Sequence, residues 1–192
     1  MTNVNWARTT AEEMLRDTLP RRWAHTQGVA ARARSLVAIL GEDADLIEAA
    51  AWLHDIGYSP QINETGFHPI DGARFLRDKL SAGETLSQLV AHHTGAAIEA
   101  EERGLPRLED EFAVPSKSLL EALVYCDMTA DIDGRPVEVE QRLDEILTRY
   151  GRDHVVNRSV RRSAPILRRA VGNIGQKLRE APVDGVGASQ PR

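Results

Sequence analysis

Residues 49–58 read Ala49-Ala50-Ala51-Trp52-Leu53-His54-Asp55-Ile56-Gly57-Tyr58. From Leu46 to Leu53 the run is apolar except at Glu48, and Ile47, Ala50, Ala51 and His54 recur at helical spacing. This pattern predicts a helix packed on most of its faces. It ends in an ionisable pair, and a buried carboxylate needs a charge partner or a metal to stay ionised. Neighbouring residues on a helix point about 100° apart. Near a helix end one metal can still take both side chains, and the second oxygen of Asp55 can bridge to another metal. A His–Asp pair satisfied by protein hydrogen bonds explains the dipeptide equally well, so the other histidines decide.

Working outward, Thr10-x-x-Glu13 has the form of a capping box ahead of a short helix through Met14 and Leu15, closed near Pro20. A second helix is expected from about Arg21 to Leu40, with a stripe of Val29, Ala33, Leu36 and Leu40 that His25 extends, and a stop at Gly41. The central helix starts near Asp43. A polar loop follows at Ser59–Gly66, and His68-Pro69 opens the next helix with proline in a favoured first-turn position. Leu86, Leu89, Val90 and His93 share one face of a further helix, with His92 beside them. Ala96–Arg103 reads as a short helix and Gly104–Ser116 as a charged loop. Leu120, Leu123, Val124 and Asp127 then form another stripe, and Gly134-Arg135-Pro136 a turn. Helices around Val137–Tyr150 and Asp153–Glu180 complete the pattern, the last bent or broken at Pro165. No alternating strand pattern stands out. The expectation is an all-α, compact helical bundle: residues 1–20 as an N-terminal extension, 21–180 as the main domain, and 181–192 as a disordered tail rich in Gly, Pro and Ser.

Composition narrows the function classes. A chain of 192 residues can bury a sizeable single core. Its net charge of −5 argues against non-specific nucleic-acid binding. No apolar run approaches the roughly 20 residues that span a bilayer, and the N-terminus lacks a signal-peptide core. Cys126 is the one cysteine, which excludes an intrachain disulfide and thiol-rich zinc sites. The expected location is cytoplasmic. The oligomeric state is open.

Five of the six histidines lie between positions 25 and 93, each where a side chain can point inward. His25 continues an apolar stripe, His54 ends a buried helix and His68 opens one. His92 and His93 are tandem, and Asp127 is an acid on an apolar face. Singly, each has an ordinary explanation as a satisfied core group or a cap. Together they are costly unless they meet at a shared metal, which supplies positive charge to the acids and an acceptor for imidazole electron pairs.

The order His25 … His54-Asp55 … Asp127 resembles the H…HD…D signature of the HD-domain metal-dependent phosphohydrolases, and His54-Asp55-Ile56-Gly57 reproduces its HDIG form. The resemblance covers roughly Arg21 to Gly134. It implies an all-helical fold and a first metal held by His25, His54, Asp55 and Asp127. The chain also resembles the subset with extra histidines, including cyclic-dinucleotide phosphodiesterases. There, H-P-x-x-G and H-H elements supply a second metal and the motif aspartate bridges. His68-Pro69-Ile70-Asp71-Gly72 and His92-His93 match those elements, with His92 favoured over His93 as ligand. Tyr58 stands where that branch typically has Lys, and Thr94-Gly95-Ala96 replaces its G-Y-P element. These departures point away from a cyclic dinucleotide.

Such a site implies two divalent transition ions (Fe, Mn, Co, Ni or Zn), since a His-rich shell suits these better than magnesium or calcium. The partner implied is a small phosphorylated, nucleotide-like substrate, cleaved at a phosphate ester or anhydride by metal-activated water. Arg74, one turn after Ile70, is the expected phosphate donor, with Tyr58, His93 and Thr94 behind it. Asp131, one turn after Asp127, is the candidate second acid or water-activating base. His154, in a polar segment, is expected to stay out of the site. The arginines of the C-terminal helices are read as a solvated face, paired in part with the acidic stretch Glu99–Glu111. Two other functions share these residues: the di-iron oxygenase chemistry of HD-fold relatives, and a non-catalytic sensor binding a nucleotide through a metal.

Overall fold

The computed structural model describes residues 3–181, and the fold is all-α. In chain order the helices are α1 (Val4–Leu15), α2 (Pro20–Arg34), α3 (Val37–Leu40), α4 (Ala44–Leu53), α5 (His68–Arg74), α6 (Glu84–His92), α7 (Ala96–Glu102), α8 (Lys117–Met128), α9 (Val139–Arg149) and α10 (Val155–Glu180). A π-helical turn, Phe75–Lys79, prolongs α5. An isolated antiparallel bridge joins Ala130 to Pro136. Among the described residues no helix is long and apolar enough to cross a membrane.

The quoted stretch forms the centre. Ala49, Ala50 and Ala51 of α4 are fully buried beside Ile47 and Leu53. Small side chains let neighbouring helices approach closely, because interiors pack to crystal-like density. α2 and α8 both pack on α4 and on each other. α5 and α6 pair on one side of this trio, and α10 runs across α7, α8 and α9 on the other. A second apolar cluster, including Val124, Met128, Leu143 and Leu167, joins α8, α9 and α10.

Several elements depart from the sequence reading. α1 starts at Val4 because the Asn3 side chain accepts from the Trp6 amide; Thr10 lies buried within the helix and does not cap it. The expected N-terminal extension contributes Ala7, Ala11 and Leu15, all fully buried, to the main core. The single helix expected from Arg21 to Leu40 is two, α2 and α3, separated at Ser35 and Leu36. α10 continues through Pro165, which sits on its exposed side and so removes a backbone bond where water can replace it. Apart from Ala181, the expected tail lies outside the described residues.

Two close backbone approaches set the framework of the site. A Cβ on Gly57 would lie 2.0 Å from the His68 carbonyl oxygen and 2.7 Å from the Gly72 amide nitrogen. Glycine there lets the turn after Asp55 rest directly on the start of α5. A Cβ on Gly28 would lie 2.4 Å from the Gly134 carbonyl oxygen, so the Asp131–Gly134 turn presses onto α2.

Candidate metal centre

Six side chains from five helices, or from the segments that end them, converge at the C-terminal end of α4. His25, His54 and Asp127 form one group and Asp55, His68 and His93 a second; within each, one potential ligand atom per residue lies within 4.8 Å of the others. Asp55 joins the groups. Its Oδ2 is 3.3 Å from His54 Nε2 and 3.9 Å from His25 Nε2, while its Oδ1 is 3.3 Å from His68 Nε2 and 3.9 Å from His93 Nε2. His25 Nε2 meets Asp127 Oδ1 at 3.0 Å, and His68 meets His93 Nε2 to Nε2 at 3.1 Å.

Backbone carbonyls fix the orientation of three rings. Nδ1 of His25 contacts the Asp131 carbonyl at 2.9 Å, that of His54 the Ala51 carbonyl at 2.7 Å, and that of His93 the Val90 carbonyl at 2.6 Å. A carbonyl only accepts, so each Nδ1 carries a proton and each Nε2 faces the cluster. Outer hydrogen bonds of this kind orient metal-binding histidines.

Burial and neighbouring charges together set the charge states. Burial pushes the pKa of His25 and His93 down, and that of His68 far down, favouring neutral rings. Burial opposes ionisation of Asp55, but Arg22, His54 and His68 outweigh it and hold the carboxylate well below its usual range. Asp127 is likewise held down, against burial, mainly by its contact with His25 and the charge near His54. For His54, Asp55 overcomes burial and raises the pKa.

The donor set fits a cation. With its one proton on Nδ1, neutral His25 presents an Nε2 lone pair to a carboxylate oxygen 3.0 Å away, acceptor against acceptor. His54 Nε2 is buried with no hydrogen-bond partner. Arg22 and Arg142 offset the two carboxylate charges, and Arg142 Nη2 comes within 3.4 Å of His25 Nε2, but neither guanidinium serves His54 Nε2.

Not every expected residue joins the cluster. His92 points away, its Nε2 donating to the Phe112 carbonyl at 2.7 Å. The preference for His92 over His93 is therefore reversed. α6 ends at His92, the backbone is extended at His93 (ψ 150°), and Thr94 takes φ 44°. This break sends the tandem rings in opposite directions. Arg74 also lies elsewhere, in a two-pronged pair with Glu111 at 3.0 and 2.6 Å. The Asp131 carboxylate is used within its own turn, accepting from the Asp133 and Arg135 amides, so the expected base is corrected to a backbone carbonyl that orients His25. His154 caps α10, its Nδ1 accepting from the Val156 amide. Of the weaker candidates, Tyr58 stacks on His68 with ring centroids 3.9 Å apart, and the Thr94 hydroxyl donates to Asp127.

Two arginines absent from the sequence reading stand at the site. Arg22 Nη1 donates to Asp55 Oδ2 at 2.7 Å, with its guanidinium 4.0 Å from the Tyr58 ring centre. It lies three residues before His25, on the same helix face, which was a usable signal. Arg142, from α9, brings Nη2 to 3.4 Å from His25 Nε2 and 3.8 Å from Asp127 Oδ1. Among the many charged residues of α9, nothing in the sequence singles it out. The basic C-terminal face is partly paired as expected, Arg158 with Glu102 and Arg162 with Glu101 and Glu102.

A family profile described as "HD domain" matches residues 22–128, more than half of the chain, and the protein belongs to that family. Its members are mostly metal-dependent phosphohydrolases. No curated protein and no solved structure gives a significant match to the chain.

Proposed function

We propose that the protein is a metal-dependent phosphohydrolase that cleaves a phosphate ester or anhydride of a small phosphorylated substrate. The observation that carries this reading is the convergence of inward imidazole nitrogens on Asp127 and Asp55, with His54 Nε2 buried among them without a hydrogen-bond partner. His25, His54, Asp127 and one oxygen of Asp55 would hold a first divalent transition ion. His68, His93 and the other oxygen of Asp55 would hold a second. When bound, such ions supply Lewis acidity and water of lowered pKa.

The protein groups have separable tasks. The Asp131, Ala51 and Val90 carbonyls keep three rings turned inward. Thr94 fixes the outer oxygen of Asp127, and Tyr58 supports the His68 ring. Arg22, beside Asp55, is placed to neutralise phosphoryl charge. The test is metal analysis of anaerobically purified protein, followed by a phosphatase and phosphodiesterase panel with iron, manganese, cobalt, nickel and zinc. Metal-dependent phosphate release is the expected result. Turnover that requires oxygen would replace this reading with oxygenase chemistry, and nucleotide binding without turnover would replace it with a sensor.

A further inference from the structure

Arg142, Glu145 and Arg149 fall at i, i+3 and i+7 on α9 and therefore share one face. Arg142 is 4% exposed. Its Nη1 donates to Glu145 at 2.7 Å, its Nη2 reaches His25, and its Nε–H is buried without an acceptor. Buried donors normally have a partner. Glu145 also pairs with Arg149, so on this face one carboxylate serves two guanidinium groups, and Arg142 further reaches Asp127 Oδ1 at 3.8 Å.

This face walls a cleft that begins at the metal centre and encloses about 90 Å³, with Arg22, Tyr58, Arg142, Ile146, Arg149 and Tyr150 among its lining. Pockets that enclose a whole drug-sized ligand run to about 300–1,000 Å³. The enclosed space thus suits a reacting group, with the rest of a ligand at the mouth. α9 lies outside residues 22–128, so this wall is supplied by chain beyond the matched family segment.

We propose that Arg142 and Arg149 form a phosphate clamp that sets a preference for the dianionic group of a phosphate monoester over a monoanionic diester. The planar guanidinium fork matches phosphoryl oxygens two at a time, and a desolvated cation rewards the additional charge. Arg142 acts from the buried wall of the cleft and Arg149 closes from the rim. The organic part of the ester leaves past Tyr150 and Ile146. The substrate class rests on the phosphohydrolase reading, but binding can be measured apart from hydrolysis.

The experiment uses the full chain, with and without metal. Inorganic phosphate binding is measured by calorimetry, and rates are measured on p-nitrophenyl phosphate and bis(p-nitrophenyl) phosphate. Arg149→Gln is the first variant, because that side chain is one-third exposed and its replacement leaves the core intact. It should weaken phosphate binding about tenfold and lower the monoester-to-diester ratio of kcat/KM by a similar factor, as for loss of a charged hydrogen bond. Metal content and melting temperature should stay unchanged, and Arg149→Lys should restore part of the loss. Arg142→Lys should act in the same direction; if it fails to fold, Arg149→Gln decides alone. Unchanged phosphate affinity and ester preference in folded, metal-replete Arg149→Gln would overturn the clamp, even with the parent protein an active hydrolase. Conversely, arginine-dependent phosphate binding without hydrolysis of any ester would keep the clamp and remove the phosphohydrolase reading.

Discussion

The two halves of the cluster are built differently. His25, His54 and Asp127 come from α2, from the residue closing α4, and from α8, three elements that pack directly on one another and bury several alanines. Asp55, His68 and His93 all sit where helices begin or end: after α4, at the first residue of α5, and just past α6. The first set is held by helix packing. The second is held by backbone contact at Gly57, by the break at Thr94, and by the loop after α7, which reaches α5 and α6 through Glu111 and Phe112. Packed helices resist displacement because the whole interface must move, whereas chain ends shift with a few local contacts. The second half should therefore be the easier one to perturb selectively.

The largest expected effect comes from Asp55→Ala, because Asp55 is the side chain that touches both halves. Turnover should be abolished and metal content should fall at both positions, as measured by elemental analysis and phosphate release. Retained activity with full metal content would reduce Asp55 to a partner for Arg22. Next, the parent protein should take up about two ions per chain and His68→Ala about one, since a site with three protein ligands loses one of them. His92→Ala should leave that stoichiometry unchanged while lowering stability by about 1–3 kcal/mol, the cost of an orphaned carbonyl at Phe112. A loss of one ion in His92→Ala, with none in His93→Ala, would invert the assignment drawn from the backbone break.

Gly57→Ala sharpens the comparison without touching a ligand. Its Cβ has no room against the His68 carbonyl, so α5 must shift and carry His68 with it. Affinity for the second ion should fall by about 10–100-fold, the range for lost support around a metal ligand, with the first ion kept. Competition with a chelator at increasing concentration resolves the two losses. Equal weakening of both ions would mean that the halves respond as one body.

The first half was readable from the sequence because its residues lie on long apolar stripes, where helical period alone decides which way they face. His25, His54 and Asp127 each extend such a stripe. The second half was readable only in part, since period gives no direction beyond a helix end. His68 could be placed by its proline, but the choice between His92 and His93 turned on the φ of Thr94, a position that local composition marks only through Gly95. Asp131 was misread for a related reason. Asp131-Ile132-Asp133-Gly134 has turn chemistry, in which an aspartate bonds its own backbone, and that reading outranks a continued helix face. Arg74 lies away from the cluster and Arg142, absent from the sequence reading, lies beside it, because a charged residue's burial depends on which helix covers it, information that tertiary packing alone supplies.

The smallest expected effect concerns the clasp that fastens the second half. Glu111 accepts from Arg74 and from Arg77, and Arg77 also lies over the Phe112 ring at 4.6 Å. The Arg74 hydrogen bond, aided by Arg77, depresses the Glu111 pKa against the opposing effect of burial. A depressed carboxylate pKa means that the folded state holds its proton less tightly than the unfolded chain. The stabilisation is thus complete above the unfolded value of about 4.3 and disappears as pH falls through the lower folded value. The groups are substantially exposed to solvent, so screening limits the gain to about 0.5–1 kcal/mol. Urea unfolding of the parent and Glu111→Gln proteins should show a gap of that size at about pH 7, shrinking toward zero as pH falls through the depressed folded value and Glu111 protonates. Taking the difference between the two proteins cancels the titration of carboxylates they share. A gap that persists unchanged in acid would show that Glu111 holds the loop by shape and neutral hydrogen bonding, and the electrostatic account of this clasp would fail.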